Sequence, residues 1–394
     1  MRLLLLILAF WVGSCVSSPL PLDGGQVRRD RASDWQHAQV TLVVDHDLRH
    51  IRGTAFLHVR SLEPATHNIT LDLGPLRLSG AVKDSAGRAL QVLSSIGSQR
   101  ELKLNMALAL GEEEVLEVQY DGTSGPGLGF EQSAGGQWVR LYGGAFFPHV
   151  HGRGHFPTLD VSLFVDGEST VLGPGQRLRE SGGREGPGPA HFRIARPSNP
   201  RSMNFLVGPM QSLALSGDDE GWCTLTSQDT SKVWTQAWMR ARATDAHPGA
   251  PCRVGLLPAS LGLSGWQGGW LAIPLGQAPN PTRARDFCRR LVIEQNLRQG
   301  LLPDSDAAHS LVSAMVTQAQ ASEGFDPPEP EPDRMRRGLQ AMEQELGAAA
   351  FESLRTEFLQ QSRGKALGVW EWARFAERRS GLSAQALFET LTGR

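Results

Sequence analysis

The densest set of metal-capable side chains in the sequence is the run Phe146-Phe147-Pro148-His149-Val150-His151-Gly152-Arg153-Gly154-His155-Phe156. Side chains alternate along a strand, so in extended backbone His149 and His151 project to one face, where they could share a cation with His155 or Asp160 completing the set. The competing expectation is a Gly-relaxed loop whose aromatics pack on a sheet and whose histidines bond to backbone groups. A second candidate, His46-Asp47-Leu48-Arg49-His50, has i, i+4 histidines with an acid after the first. That spacing converges on a helix, whereas the flanking alternation makes this a hairpin turn, so an exposed turn is expected. Beyond residue 200 only His247 and His309 remain, too far apart to share a helical turn. The Gly-x-Ser-x-Gly elbow of many serine hydrolases is absent.

The formal net charge of −2 gives no polyanion-binding signature, and nucleic acid is not expected as a partner. Met1-Arg2 followed by the apolar run Leu3 to Val12 has the layout of an export signal and is too short to span a bilayer. Val12-Gly13-Ser14-Cys15 then fits bacterial lipoprotein processing, with Cys15 acylated and residues 16–33 as a tether. Cleavage near Ser17-Ser18, giving a secreted or periplasmic protein, is the alternative. Cys223, Cys252 and Cys288 form no Cys-x-x-Cys pair, so neither a zinc ribbon nor a dense disulfide scaffold is implied. One bridge, Cys223 to Cys252, is allowed in an oxidising compartment.

These residues must be positioned by two kinds of structure. From Asp34 to Leu215 the apolar period is two, punctuated by turn residues, which predicts an antiparallel β-domain over 34–215. Strands are expected over His37 to Asp45 and Ile51 to Arg60, then Asn68 to Leu73, Glu101 to Ala107 and Glu114 to Tyr120. Later strands are Asp160 to Asp166, Ala190 to Ala195 and Met203 to Gly208, with a Gly-rich loop at Glu180 to Pro189. From about Ser231 the pattern becomes helical, giving an α+β multidomain chain with a second domain over 231–394. Helices are expected over Thr282 to Gln299, Asp306 to Ala321, Arg334 to Leu346, Ala349 to Gln361, Gly368 to Arg379 and Ser383 to Leu391. Gly347 and Gly381 suit C-caps, Ser383 an N-cap, and the prolines of 323–333 an extended connector. Trp222, Trp234, Trp238, Trp266 and Trp270 surround the domain junction, as core packing or as the lining of a cleft.

The pair Val40-Thr41-Leu42-Val43-Val44-Asp45 and Ile51-Arg52-Gly53-Thr54-Ala55 resembles the opening of the β-domain in the aminopeptidase N family of zinc metallopeptidases. Phe146-Phe147-Pro148 ahead of Leu159-Asp160-Val161-Ser162-Leu163, and Phe205-Leu206-Val207-Gly208-Pro209, are similar to later segments of that domain. Gly347 to Phe351 and Ser380-Gly381-Leu382 through Phe388 resemble the helices that close the family's catalytic domain. The resemblance covers most of the chain. It implies an N-terminal β-saddle or sandwich followed by a degenerate thermolysin-like, mostly helical domain.

In that family zinc needs two histidines at i and i+4, a Glu beside the first as general base, and a third ligand from a later helix. The counterpart of the zinc helix is Arg290-Leu291-Val292-Ile293-Glu294-Gln295. The resemblance puts Arg290 and Glu294 at the histidine positions, Leu291 at the base and Ser313 at the third ligand. Arg cannot ligate a cation, and Leu cannot take a proton from water. The strand that holds the substrate amine has Gly265-Trp266-Gln267-Gly268-Gly269-Trp270 as its counterpart, without a carboxylate. Tyr120 and Tyr142 both lie in the β-domain, so the family's catalytic Tyr has no counterpart. The expectation is therefore a pseudoenzyme without a cofactor, binding a peptide or another envelope protein and anchored to the membrane through Cys15. The alternative is an active metal-dependent peptidase or hydrolase, with zinc at His149, His151 and His155.

Overall fold

The computed structural model describes residues 33–133, 136–142, 145–150, 157–165, 169–178, 189–195, 203–215, 219–224, 228–243, 252–275, 281–298, 301–303, 306–322, 334–363 and 366–392. The export segment with Cys15, residues His151 and His155, and the connector 323–333 lie outside the described residues.

The chain opens with β1 (Ser33–Asp45), β2 (His50–Ser61), β3 (Thr66–Asp72), β4 (Arg77–Leu78), β5 (Gln91–Ile96), β6 (Gln99–Leu108) and β7 (Glu113–Thr123). Next come β8 (Leu128–Ser133), β9 (Gly136–Leu141), β10 (His149–Val150), β11 (Thr158–Val165), β12 (Thr170–Leu172), β13 (Gln176–Leu178), β14 (Ala190–Ile194) and β15 (Phe205–Gly208). They form a seven-stranded sheet, β13-β14-β11-β1-β2-β7-β4, and two four-stranded sheets, β10-β3-β6-β5 and β12-β15-β9-β8. Every pair is antiparallel except β1 with β11, which run parallel.

Alternation explains the layering. Val40, Leu42 and Val44 of β1 and Ala55, Leu57 and Val59 of β2 are buried on one face of the large sheet. A bulge between Trp35 and His37 resets the phase, so that Trp35 and Ala38 both point inward. Gly53 stands opposite Tyr120 across β2 and β7, and a Cβ there would lie 2.6 Å from the Tyr120 ring. The glycine is required because the tyrosine ring lies over it.

The second half starts with β16 (Met210–Ala214), β17 (Glu220–Thr224), α1 (Gln228–Ala243), β18 (Arg253–Pro258), β19 (Gly265–Trp266), β20 (Leu271–Leu275) and α2 (Pro281–Arg298). It continues with β21 (Leu302–Pro303), α3 (Asp306–Ser322), α4 (Arg334–Leu346), α5 (Ala348–Ser362), β22 (Ala366–Leu367), α6 (Val369–Ser380) and α7 (Ala384–Thr392). A five-stranded sheet, β16-β17-β18-β20-β19, corrects the expectation of helix alone after Ser231. Its central strands β17, β18 and β20 are parallel, and β18 and β20 are short apolar runs with no alternation to read. The Cys223–Cys252 bridge is also corrected: neither sulfur is in a disulfide. In the parallel β17–β18 register Cys223 faces Leu256, four residues beyond Cys252, a separation of about 13 Å along the strand that no disulfide spans.

Helices α3 to α7 close on a core of Leu311, Met315, Leu339, Phe351, Phe358 and Phe388 around the fully buried Trp372. Gly381 caps α6 in the left-handed conformation, and Ser383 Oγ accepts the Ala386 N–H at the start of α7.

The two halves share a core of Trp138, Leu172, Leu206, Trp222, Leu257 and Trp270. Trp270 Nε1 donates to the Asn204 carbonyl at 2.8 Å, and Arg253 donates to the Gly173 carbonyl at 3.0 Å.

In the β-domain, Asp84 is buried and accepts from Asn105 Nδ2 (3.0 Å), the Arg88 backbone N–H (2.8 Å) and Arg88 Nε (2.9 Å). The Asn105 amide, reinforced by the Arg88 donors, holds its carboxyl down at about 2 against an ordinary 3.8. A depressed folded pKa gives stability that is complete above the unfolded value and is lost as pH falls through the folded one. The urea midpoint should therefore drop between about pH 4 and about pH 2, and less steeply in Asp84→Asn. Parallel acid limbs for the two proteins would refute this role for Asp84.

Candidate functional site

Helix α2 has two working faces. Ala284, Cys288, Leu291, Val292 and Gln295 are buried in a core that also takes Trp234 and Trp238 of α1 and Val254, Leu256 and Ile273 of the sheet. Within it the Cys252 thiol donates to Gln295 Oε1. Burial pushes the Cys288 thiol up to about 12, so it stays protonated at neutral pH and serves as a packing group.

On another flank of α2, Arg290, Glu294 and Arg298 follow at successive turns. Arg298 Nε donates to Glu294 Oε1 at 2.8 Å, and its Nη2 donates to Ser313 Oγ on α3 at 2.9 Å. The two charged side chains are only 17% and 16% exposed. Gln320 of α3 adds a bond to the Arg290 carbonyl at 3.1 Å. A guanidinium thus bridges Glu294 and Ser313 across the α2–α3 seam.

This donor set does not fit zinc. A catalytic zinc takes three protein ligands of His, Cys or carboxylate type. Here Glu294 is the one such group among Arg290, Leu291, Glu294 and Ser313, and its oxygen already serves a fixed cation. Leu291 is buried at 4% exposure. Among the described residues, no three His, Cys, Asp or Glu side chains come together in a way that could hold a metal ion.

The other sequence candidates fall elsewhere. His149 lies on β10 beside β3, its Nε2 3.7 Å from Asp72 Oδ2 and its ring stacked on Trp35. Asp160 is engaged by Arg193 at 3.0 Å. His46 sits in the β1–β2 turn, and His50 pairs with Asp121 at 3.5 Å. Tyr120 is fully buried in the β-domain, where desolvation raises its pKa. Residues 265–266 form the antiparallel edge strand β19, and Gln267, after it, accepts from Asn204 Nδ2 at 3.4 Å. Trp222, Trp234, Trp238 and Trp270 are core residues.

Two features escaped the sequence analysis. One is Arg298, although Glu294 and Arg298 have the i, i+4 spacing and order that favour an ion pair on a helix. The other is a cavity of about 350 Å³ lined by Trp234, Arg283, Asp286, Phe287 and Arg290. It joins residues of α1 and α2 that are remote in sequence.

No protein-family model and no curated protein matches the sequence. In structure, the chain is similar to an M1 zinc metallopeptidase from Deinococcus radiodurans, at 18% identity and TM-score 0.63, covering 92% of this chain and 94% of that one. It is also similar to leukotriene A4 hydrolase from Saccharomyces cerevisiae, at 12% identity and TM-score 0.70, over 90% of this chain and 67% of that one. The fold is therefore that of the M1 zinc metallopeptidases, as the sequence resemblance implies.

Replacing Arg298 by Met leaves Glu294 without its cation in a poorly solvated seam. Arg298→Met should lower unfolding stability by about 1–2 kcal/mol, between the values for exposed and fully buried pairs. Glu294→Gln in the same background should recover part of that loss, since it removes the charge left without a partner. Urea unfolding of the two single variants and the double variant measures this, and an Arg298→Met midpoint equal to wild type would rule out the bridge.

Proposed function

We propose that this protein is a non-catalytic aminopeptidase-fold protein of the bacterial cell envelope that binds a peptide or protein partner. The observation that carries the reading is the Arg298 bridge between Glu294 and Ser313. On the register implied by the family resemblance, those are the positions of the second and third zinc ligands, so a tethered guanidinium stands among the groups that would bind the metal. Arg290 and Leu291 take the first ligand and base positions and offer neither a lone pair for zinc nor a proton acceptor.

A peptide ligand is supported by the fold. The Deinococcus radiodurans enzyme with this architecture has been crystallised with a Tyr-Ser-Ala substrate. A protein that keeps such a fold without the chemistry retains surfaces shaped for an extended chain. Export rests on the basic and apolar opening of the sequence, and membrane attachment on acylation of Cys15.

The test is elemental analysis of the purified mature protein together with turnover of a panel of aminoacyl reporter substrates. The expected result is no stoichiometric zinc and no turnover. One zinc per chain with chelator-sensitive turnover would overturn the reading and make His149→Ala the next variant. The register has its own check. Arg290→His, Leu291→Glu, Glu294→His and Ser313→Glu, combined with Arg298→Ala to clear the guanidinium, should create zinc affinity. A folded variant that takes up no zinc would disprove the register.

A further inference from the structure

We propose that residues 19–31, which precede β1, fold back as a strap onto an apolar and acidic surface at the end of the β-domain where β1 begins. This goes beyond the binding function and stands without it. Only its consequence for the membrane rests on acylation of Cys15.

Strands β1, β2 and β7 meet at this end. Ser33 pairs with Ser61, the Ser61 N–H donates to the Glu112 carbonyl at 2.8 Å, and the Gly111 N–H donates to the Ser61 carbonyl at 2.9 Å. These bonds lay the β2–β3 loop beside the β6–β7 turn, next to the point where the preceding residues enter the domain. Strands β3 and β6 reach the same end through the pair Thr66 and Leu108, and the Thr66 hydroxyl lies 2.7 Å from that of Ser61. Here Leu110 is 65% exposed, Met106 64% and Leu62 37%. Single exposed apolar side chains are ordinary, but three large ones on adjoining segments make a patch.

The rim of the patch is acidic. Glu63, Glu112 and Glu113 are exposed around it, and Arg60 is set in register between Asp34 and Glu113. The carboxylates of Glu63 and Glu113 make no hydrogen bond or ion pair among the described residues. Such a rim repels an anionic lipid surface and selects a basic occupant. Arg28, Arg29 and Arg31 stand two to five residues before Ser33, with Asp30 the one acid among them. An extended chain carries them about 7 to 18 Å from Ser33, within range of the three glutamates. Gly24-Gly25 then permits a reversal that returns Leu20 and Leu22 over Leu62 and Leu110. The strap thus offers arginines to the rim and leucines to the patch. With Cys15 acylated it leaves residues 16–18 as the free span, at most about 11 Å. A loose tether over residues 16–32 averages roughly 20 Å and reaches much farther. The strap therefore holds this end of the β-domain close to the membrane.

The test places a benzophenone amino acid at position 110 of the full mature chain, an exposed turn position where the fold tolerates it. An equal mixture of unlabelled and nitrogen-15 protein is irradiated with vesicles of phosphatidylethanolamine and phosphatidylglycerol, and the adducts are mapped by mass spectrometry. The expected adduct joins position 110 to residues 19–31 of the same chain. Glu63→Lys with Glu113→Lys should lower its yield about fivefold, as for two exposed ion pairs. Arg28→Glu, Arg29→Glu and Arg31→Glu in that background should restore it. A second probe at position 22 reads the contact from the other side, through adducts on residues 62–65 and 106–112. An adduct between light and heavy chains would make a second copy the occupant, and an adduct to lipid would make it the bilayer. Either result, no adduct from both probes, or a yield indifferent to charge reversal would overturn the strap. None of these outcomes bears on zinc content or turnover, so the non-catalytic reading stands or falls separately.

Discussion

A guanidinium held in the seam between two helices must be matched by oxygens fixed around it, because water reaches it too poorly to do so. Arg298 meets that requirement with Glu294 on its own helix and Ser313 on the next. The first contact follows from helix geometry alone, since residues four apart stack on one face. The second crosses to α3 and makes the spacing of the two helices depend on a side chain. Gln320, reaching the Arg290 carbonyl, adds a second crossing bond. A metal joining two helices does the same mechanical work through coordinate bonds. Here hydrogen bonds from one charged group join the two helices.

The seam has a fixed place because α2 is anchored along the flank beside it. Leu291, Val292 and Cys288 are buried with strands of the five-stranded sheet, and that sheet shares its other core with the β-domain through Trp138, Leu206, Trp222 and Trp270. Gly208 lets this junction close: a Cβ there would sit 2.3 Å from the Trp138 ring. The hydrogen bond from the Trp270 indole to the Asn204 carbonyl gives the contact a direction as well as area. The β-domain, sheet and α2 thus form one chain of packed contacts leading to the candidate site.

Much of this was legible in the sequence where one face is wet and the other dry. The alternation of β1 and β2 and the helical periods of α4 to α7 gave element types, and Gly381 and Ser383 gave sharp ends because each has a local backbone role. Strands β18 and β20 were illegible for the opposite reason. They lie inside a largely parallel sheet, and a short apolar run carries no period. The positions Arg290, Leu291, Glu294 and Ser313 could be named from resemblance, but the guanidinium linking two of them required the geometry of α3 beside α2. The cavity was hidden because Trp234 and Arg290 belong to helices separated by three strands of the sheet. Composition could nominate tryptophans at the junction without separating the core residue Trp238 from Trp234, which also meets a cavity.

The physical chemistry of Leu291 accounts for how such a fold is held at α2 by packing. On the proposed register this position belongs to a general base, a carboxylate that must sit partly desolvated to be effective and is therefore costly to the folded state. Leu291 is instead 4% exposed within the core beneath α2. Burying a leucine side chain contributes roughly 1.5–3 kcal/mol. The exchange turns a destabilising catalytic group into a stabilising core group, and Arg298 supplies the positive charge that Glu294 requires in the seam. Each change favours the next: once Leu291 packs and Arg298 pairs, a single histidine restored at 290 or 294 would face a guanidinium and no base. Return to zinc chemistry on that register then needs several substitutions at once.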